Sequence, residues 1–350
     1  MGKILVIGNF CFDTPVFNGQ TQKSRDYYLE FCKHYGDSAV SYIDTEYFRK
    51  NPIKSYLNLI SSLKRAENVI LLLGANAAKF IVPIVARYKK KYNFNLLWSV
   101  VGGSLMYESK AKKKLLPHFS KIDSIYFETK TMVDHFTEMG YSNILYAPVF
   151  SERRLNGEFN PNRNDGILHF CTYSRVCKEK GITDAINAVK RINFETVKCT
   201  LDIYGEPSKD YESELNDVMR GAEDYIKLND YLRGDCVIDI LSRHDAMIFP
   251  TFYNGEGFPI GVVECYLGGV PVIASNWHYN SEIVINEETG FIFEVGDVDA
   301  IVAYINYLLE NRDEGLRMRR AAYEYSKRFL PSLILKDFFD RIDNHEVKNV

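Results

Sequence analysis

The amino-acid sequence predicts an α/β protein made of two doubly wound domains. Short, nearly continuous apolar runs alternate with longer segments of helical periodicity along the whole chain, which is typical of parallel sheets covered by helices on both faces. One polar stretch, SERRLNGEFNPNRNDG at 151–166, lacks both periodicities and indicates a linker. With 350 residues the chain also exceeds what a single core usually organises. We therefore expect domains at 1–155 and 156–330, and a last helix at 331–350 that can cross back to the first domain.

The predicted elements follow one another in the same style in both halves. In the first half, strands are expected at 4–10, 38–44, 68–74, 95–101, 124–129 and 143–149. Helices are expected between them at 21–34, 53–65, 76–90, 105–117 and 130–139. In the second half, strands are expected at 167–174, 199–205, 225–230, 246–251, 270–275 and 291–295. Helical periodicity is clearest at 181–192, where five apolar side chains form one stripe, and 297–330 predicts two further helices.

Charge is divided unevenly between the two halves. Residues 1–160 carry 22 Lys and Arg against 14 Asp and Glu, a balance of +8. Residues 161–350 carry 21 against 32, a balance of −11, and the two balances sum to the net charge of −3. A basic half joined to an acidic half supports two domains with different partners.

Two basic runs, ARYKKKY (86–92) and ESKAKKKLLPHFSK (108–121), admit two interpretations. As solvated helix faces they need no partner. Alternatively, they contact the anionic headgroups of a membrane, where each basic residue near the surface contributes about 1 kcal/mol. Binding to nucleic acid is not expected, because the runs lack interleaved stacking aromatics and half of the chain is acidic.

The cysteines and the apolar runs indicate in which cellular compartment the protein is expected. The 7 cysteines are scattered without C-x-x-C spacing, and the first residues lead directly into a strand-like run instead of a secretory segment. No apolar run approaches the roughly 18–20 residues needed to span a bilayer. We expect a cytoplasmic protein with reduced cysteines, which the basic runs can attach peripherally to the inner face of the cell membrane.

The stretch TFYNGEGFPIGVVECYLGG contains the residues that predict a ligand-binding site. Gly255 and Gly257 bracket Glu256 directly after a strand, and Pro259 suits the first position of a helix. Glycines let the backbone approach a ligand, and the first N–H groups of a helix attract phosphate. The carboxylates of Glu256 and Glu264 are better acceptors for hydroxyl groups. Hydroxyls at both ends, with phosphate between them, describe a nucleotide-diphosphate sugar.

This stretch resembles the E, seven residues, E motif of retaining glycosyltransferases of family 4, which have the GT-B fold. A second stretch, YSRVCKEKGITDAINAV at 173–189, is similar to that family's strand, Arg, short loop, Lys-Gly and helix element. Together with LDIYGEP, AMIFPT and NSEIVINEETGFIFEVGD, the resemblance covers most of 165–330. It implies two Rossmann-like domains that face each other across a cleft. YFETKTMVDHFTEMGYSNILYAPVF, at 126–150, resembles a subgroup that builds bacterial capsular and exopolysaccharides.

The resemblance implies a role for each matching residue. Arg175 and Lys180 would clamp the diphosphate, and Glu256 would orient the hydroxyls of the transferred sugar, so these three are the predicted catalytic residues. Glu264 would hold the ribose. The family is discussed as lacking a protein nucleophile, with the leaving phosphate helping to deprotonate the acceptor. No metal or other cofactor is expected, because two cations and a helix N-terminus already neutralise the diphosphate.

Further donor-binding residues are expected in glycine loops and at one aromatic position: Gly255, Gly257, Phe258, Pro259, Gly19, Gly102, Gly103 and Tyr231. Many family members carry a His in the loop after the fourth strand, where this chain has VVGGSL. We expect the backbone N–H groups of Gly102 and Gly103 to replace it, although both glycines also suit simple turns. Tyr231 could stack on the base, and a core or surface tyrosine is the alternative.

The predicted function is therefore retaining transfer of a sugar from a nucleotide-diphosphate donor to a glycan or lipid-linked acceptor in surface polysaccharide synthesis. The sequence leaves the donor base open between UDP and GDP. Two alternatives remain at this point. A sugar-nucleotide 2-epimerase would need several acid/base groups around the sugar, and a non-catalytic sugar-nucleotide-binding scaffold would keep the fold without turnover.

Overall fold

The computed structural model describes residues 3–13, 18–160 and 166–348. Residues 161–165 of the predicted linker and 349–350 of the predicted last helix lie outside these ranges. The chain divides into two compact units. Unit 1 comprises Met1–Glu152, Gly255–Phe258 and Phe329–Val350, and unit 2 comprises Arg153–Asn254 and Pro259–Arg328.

These limits differ from the predicted ones in one important respect. The ends of the large segments fall within a few residues of the predicted boundaries at 155/156 and 330/331, but Gly255–Phe258, which we expected in the second domain, packs with unit 1. The physical reason is a close approach of Gly257 to Gly102, since a Cβ on Gly257 would lie 2.7 Å from the Gly102 Cα. Local sequence patterns do not report such a contact.

Unit 1 is built on one parallel sheet of six strands in the order β2-β1-β3-β4-β5-β6. Its strands are β1 Ile4–Gly8, β2 Val40–Asp44, β3 Asn68–Leu73, β4 Asn95–Val100, β5 Ser124–Phe127 and β6 Ile144–Tyr146. Every residue of β3 and of β4 is buried, as expected for inner strands of a sheet that is covered on both faces. The strand order reverses between β1 and β3.

The helices of unit 1 come from both ends of the chain. They are α1 Gly19–Tyr35, α2 Tyr47–Lys50, α3 Pro52–Leu63, α4 Ala75–Tyr92, α5 Ser109–Phe119, α6 Lys130–Glu138, α14 Pro331–Ile334 and α15 Lys336–Lys348. Helix α15 completes the core. Phe338 is fully buried and stacks on Tyr126 with ring centroids 3.8 Å apart, and the Tyr126 hydroxyl donates to Asp337 at 2.6 Å.

Unit 2 is built on a second parallel sheet of six strands in the order β12-β11-β10-β7-β8-β9. Its strands are β7 Leu168–Tyr173, β8 Cys199–Tyr204, β9 Ile226–Asn229, β10 Ala246–Phe249, β11 Val272–Ser275 and β12 Gly290–Phe293. Its helices are α7 Ile182–Ile192, α8 Glu212–Met219, α9 Val237–Leu241, α10 Ile260–Leu267, α11 Asn280–Ile283, α12 Val298–Glu310 and α13 Arg312–Ser326. The strand order reverses between β7 and β10. Open sheets of this kind bind ligands at the carboxyl ends of the strands at such a reversal.

Eleven of the twelve predicted apolar runs contain one of these strands, and the twelfth, 291–295, overlaps β12, which begins one residue earlier at Gly290. The predicted α/β class with two doubly wound parallel sheets is confirmed. The predicted stripe of α7 is buried in the core of unit 2, with Ile182, Ala185 and Val189 each at most 1% exposed. Within the described ranges, none of the helices combines the length and the apolar character needed to cross a membrane.

Candidate functional site

The two predicted cations meet at the carboxyl ends of β7 and β10. Arg175 is exposed and is the second residue after β7, whereas Lys180 is only 7% exposed. Both lie over the ring of Tyr253, with the Arg175 guanidinium carbon 4.7 Å and the Lys180 Nζ 5.4 Å from the ring centroid. Lys180 Nζ is also 5.2 Å from the centroid of Phe249. Two positive charges therefore converge where the strand order of unit 2 reverses.

Backbone contacts fix the loop that carries Lys180. Gly181 follows it with φ +67°, and a Cβ at this position would lie 2.1 Å from the Pro250 carbonyl oxygen. Only glycine fits there, which explains the Lys-Gly pair in the sequence. The Glu179 carbonyl accepts the Phe252 N–H at 2.7 Å. The loop after β7 is thus fastened to the loop after β10.

Helix α10 begins next to the same strand end. Its first residue is Ile260, and Pro259 precedes it with an extended backbone (φ −73°, ψ 117°), so the prediction that Pro259 is the first helical residue was wrong by one position. Gly261 brings the first turn close to β7, because a Cβ there would lie 2.9 Å from the Tyr173 carbonyl oxygen. The positive end of the helix dipole therefore lies beside the end of β7.

Glu264, in the middle of α10, is fully buried and paired. Its Oε1 accepts a hydrogen bond from Arg153 Nη1 at 2.8 Å, and the same Arg153 nitrogen donates to the Tyr173 hydroxyl at 3.4 Å. The ring of Tyr231 lies 5.9 Å from that of Tyr173. Burial first, and then the charge of Glu264, raise the pKa of both tyrosines, so both are neutral near pH 7. The predicted residues Glu264 and Tyr231 thus belong to one cluster.

Arg153 was missed by the sequence analysis. It stands in the predicted linker, 111 residues before Glu264, and nothing in the local pattern distinguishes it from the neighbouring Arg154. A search for a positively charged partner of Glu264 could have found it, because a carboxylate buried in a helix needs a cation beside it.

The predicted glycines of unit 1 form a second group. A Cβ on Gly257 would lie 2.7 Å from Glu128 Oε2, and Gly102, with φ +74°, approaches the Gly255 carbonyl oxygen. Glu256 is 8% exposed, and the Phe258 ring lies 5.4 Å from that of Phe329. Gly103, with φ −86°, directly precedes the short 3-10 turn Ser104–Met106 and is buried. The loop after β4 and the segment Gly255–Phe258 therefore pack together.

Gly19 stands apart from this group. It is the exposed first residue of α1, and the hydrogen bonds described at this helix end are internal. The Asn18 side chain accepts the N–H groups of Gln20 and Thr21, and the Thr21 hydroxyl completes a capping box with the Asn18 N–H. A donor-binding role for Gly19 stays a prediction.

One group of possible metal ligands occurs among the described residues. Ligand atoms of Cys11, Asp44 and Glu46 lie within 4.8 Å of one another. The Asp44 oxygens already accept the N–H groups of Phe10, Cys11 and Glu46, so this carboxylate anchors a loop. We assign no metal to the group, and metal-independent activity stays a prediction.

Comparison with known proteins identifies part of the chain. Residues 157–327 match the model of the family Glycosyl transferases group 1. The chain is 26% identical over 228 residues to the UDP-N-acetylglucosamine--peptide N-acetylglucosaminyltransferase GtfA subunit of Streptococcus agalactiae, covering 62% of this chain and 43% of the subunit. It is 33% identical over 186 residues to the capsular polysaccharide biosynthesis glycosyltransferase CapM of Staphylococcus aureus, covering 51% and 46%. The chain therefore spans less than half the length of these two relatives.

Among solved structures, the fold matches Anabaena HepE in complex with UDP and glucose with a TM-score of 0.73 and 14% identity, over 98% of this chain and 100% of that chain. This likeness concerns the fold. Residues 157–327, which include Arg175, Lys180 and Glu264, thus resemble the family Glycosyl transferases group 1 in sequence, and the chain has the GT-B fold.

Proposed function

We propose that this chain is a retaining glycosyltransferase that moves a sugar from a UDP-sugar to a glycan or lipid-linked acceptor in surface polysaccharide synthesis. The observation that carries the proposal is the convergence of Arg175 and Lys180 on Tyr253, at the strand reversal of unit 2 and beside the first turn of α10. Two cations and a helix N-terminus suit a pyrophosphate. The UDP of the HepE complex supports a uridine donor, and the name of CapM supports a role in polysaccharide synthesis.

The chemistry follows from where charge develops. When the bond between the anomeric carbon and the diphosphate breaks, negative charge gathers on the leaving phosphate. Arg175, Lys180 and the N-terminus of α10 stabilise that charge, a contribution that is usually the largest single one in catalysis. The acceptor hydroxyl attacks from the same face and gives its proton to the leaving phosphate, so the proposal assigns no nucleophile and no metal to the protein. Glu256 is assigned to the sugar hydroxyls.

Glu264 is assigned to the ribose. A carboxylate offers about four acceptor positions, so Arg153 and two ribose hydroxyls can share it. Arg153 also orients the Glu264 carboxylate through the hydrogen bond to Oε1. Because Glu264 is fully buried, ribose binding requires that the surrounding side chains, Tyr231 among them, rearrange.

Two measurements test the proposal. Calorimetric titration with UDP, GDP, UDP-sugars and GDP-sugars measures binding, and analysis of the released nucleotide measures turnover. We expect UDP to bind more tightly than GDP and a UDP-sugar to yield free UDP. Arg175→Ala should lower the rate of transfer or donor hydrolysis by about 10²–10³, the loss typical of one charge-stabilising donor. Lys178→Ala is the matched control, because Lys178 lies in the same loop but is exposed and paired with Glu214 at 3.0 Å.

A wild-type protein that binds neither UDP nor a UDP-sugar would contradict the proposal. So would an Arg175→Ala variant that turns over as fast as Lys178→Ala.

A further inference from the structure

Unit 1 contains a buried ion pair that the proposed chemistry does not use. Lys23 of α1 and Glu128, directly after β5, have side chains 2% and 3% exposed, and the Lys23 Nζ lies 2.7 Å from Glu128 Oε1. Lys23 also donates to the Val100 carbonyl at the end of β4, at 3.0 Å. Burial lowers the pKa of Lys23, and the charge of Glu128 opposes that change. A buried pair of this kind is rarely the most stable filling of a core, which points to a role in fixing a particular geometry.

The second oxygen of Glu128 reaches two backbone amides. Oε2 accepts the Gly102 N–H at 3.2 Å and the Phe258 N–H at 3.3 Å. These amides belong to the loop after β4 and to the segment Gly255–Phe258, which are distant in sequence. Hydrogen bonds to an ionised acceptor are stronger than those to a neutral one. One carboxylate oxygen therefore joins the two glycine loops.

Gly257 makes this arrangement possible. A Cβ at this position would lie 2.7 Å from Glu128 Oε2, so any side chain would push the carboxylate away from both amides. The flanking residue Glu256 is the one assigned to the transferred sugar. A displacement of the segment would therefore move Glu256 as well.

We propose that Glu128, held in place by Lys23, is a positioning residue for sugar transfer. It fixes the loop of Gly102 and the segment that carries Glu256, and it does not itself touch the donor. The inference rests on the proposed glycosyltransferase function. It predicts that loss of the Oε2 acceptor lowers turnover but leaves the binding of UDP, which is assigned to residues of unit 2, nearly unchanged.

A pair of double variants isolates the acceptor from the charges. Lys23→Met with Glu128→Gln and Lys23→Met with Glu128→Met both remove the two charges and keep similar side-chain lengths. Only the glutamine offers a carbonyl oxygen to the Gly102 and Phe258 amides. The comparison therefore does not depend on the cost of leaving one buried charge without its partner.

Three measurements are made on both variants and on the wild-type protein: the Kd of UDP, the rate of sugar transfer or donor hydrolysis, and hydrogen exchange of the segments that contain Gly102 and Phe258. We expect the methionine variant to turn over at least about tenfold more slowly than the glutamine variant, with Kd values within about threefold. The two segments should exchange about tenfold faster in the methionine variant, the factor for roughly one lost hydrogen bond.

Equal turnover and equal exchange in the two variants, with UDP binding intact, would overturn this inference and leave the proposed function standing. A wild-type protein that does not bind UDP would overturn both. Slower turnover and faster exchange in the methionine variant alone would support the positioning role.

Discussion

The ion pair between Arg153 and Glu264 bears on stability as well as on donor binding. Arg153→Met leaves the fully buried Glu264 carboxylate without its cation, and we expect a loss of roughly 3–5 kcal/mol in the free energy of unfolding of unit 2. Arg154→Met, at the exposed neighbouring position, should change it by less than about 0.5 kcal/mol. Urea unfolding in a Trp98→Phe background, followed by the fluorescence of Trp277 in unit 2, measures both.

A third variant decides whether the charge is the cause. Adding Glu264→Gln to Arg153→Met removes the buried charge and should recover part of the lost stability. If the double variant is no more stable than Arg153→Met alone, the loss comes from the packing of the arginine and not from the removal of its charge beside Glu264.

Some residues of the candidate site could be predicted from the sequence, and others could not. Arg175, Lys180 and Gly181 were visible because the family motif is local, and their mutual placement follows from the strand and helix on either side. Arg153 and Glu128 were not, because their partners stand 111 and 105 residues away, and a lone charged residue carries no local sign of burial. Contacts between distant segments decide which charged side chains are buried, and the hydrophobic periodicity of the sequence does not indicate these contacts.

At the scale of elements, helix α15 is expected to be part of the core of unit 1. Phe338→Ala should lower the free energy of unfolding of unit 1 by roughly 3–5 kcal/mol, because the ring is fully buried against Tyr126 and Tyr27. Leu333→Ala, on the neighbouring helix α14, is the control, since Leu333 is 58% exposed and should matter by less than about 0.5 kcal/mol.

The two tryptophans of the chain make this measurement specific. Trp98 is buried in unit 1 and Trp277 belongs to unit 2, so urea unfolding in a Trp277→Phe background follows unit 1 alone. If Phe338→Ala and Leu333→Ala unfold at the same urea concentration, α15 does not contribute to that core.

The positions of the strands were predicted better than the exact start of α10 and the unit to which Gly255–Phe258 belongs. Buried parallel strands are nearly continuous apolar runs, so these runs alone located all twelve strands. The start of α10 was one residue off, because proline is compatible both with the first helical position and with the residue before it. The segment Gly255–Phe258 was assigned to the other domain, because chain proximity was the only guide to its partners.

At the scale of the whole molecule, the basic first half suits an anionic surface, and membrane contact through 86–92 and 108–121 stays a prediction. In this region Lys90, Lys91, Lys113 and Lys114 are exposed, and Lys114 Nζ lies 4.5 Å from the centroid of the exposed Phe80 ring. Replacing Lys113 and Lys114 by Gln should weaken binding to anionic vesicles about 30-fold, at about 1 kcal/mol per lysine. Vesicle flotation at low salt measures it.

The control replaces Lys209 and Lys227, two exposed lysines of the acidic half, and should leave flotation unchanged. Wild-type protein that does not float with anionic vesicles at low salt, or that floats equally with neutral ones, would remove the prediction.

The packing of α15 against the sheet of unit 1 has a consequence for how the chain acquires its shape during synthesis. Most of unit 1 precedes unit 2 in the chain, yet Phe338 emerges from the ribosome nearly 190 residues after Glu152, roughly 10–40 s later at typical elongation rates. Until then, Tyr126 and Tyr27 lack the aromatic ring that covers them. Unit 2 can therefore complete its fold before unit 1 does, and the nascent part of unit 1 has the greater need of a chaperone.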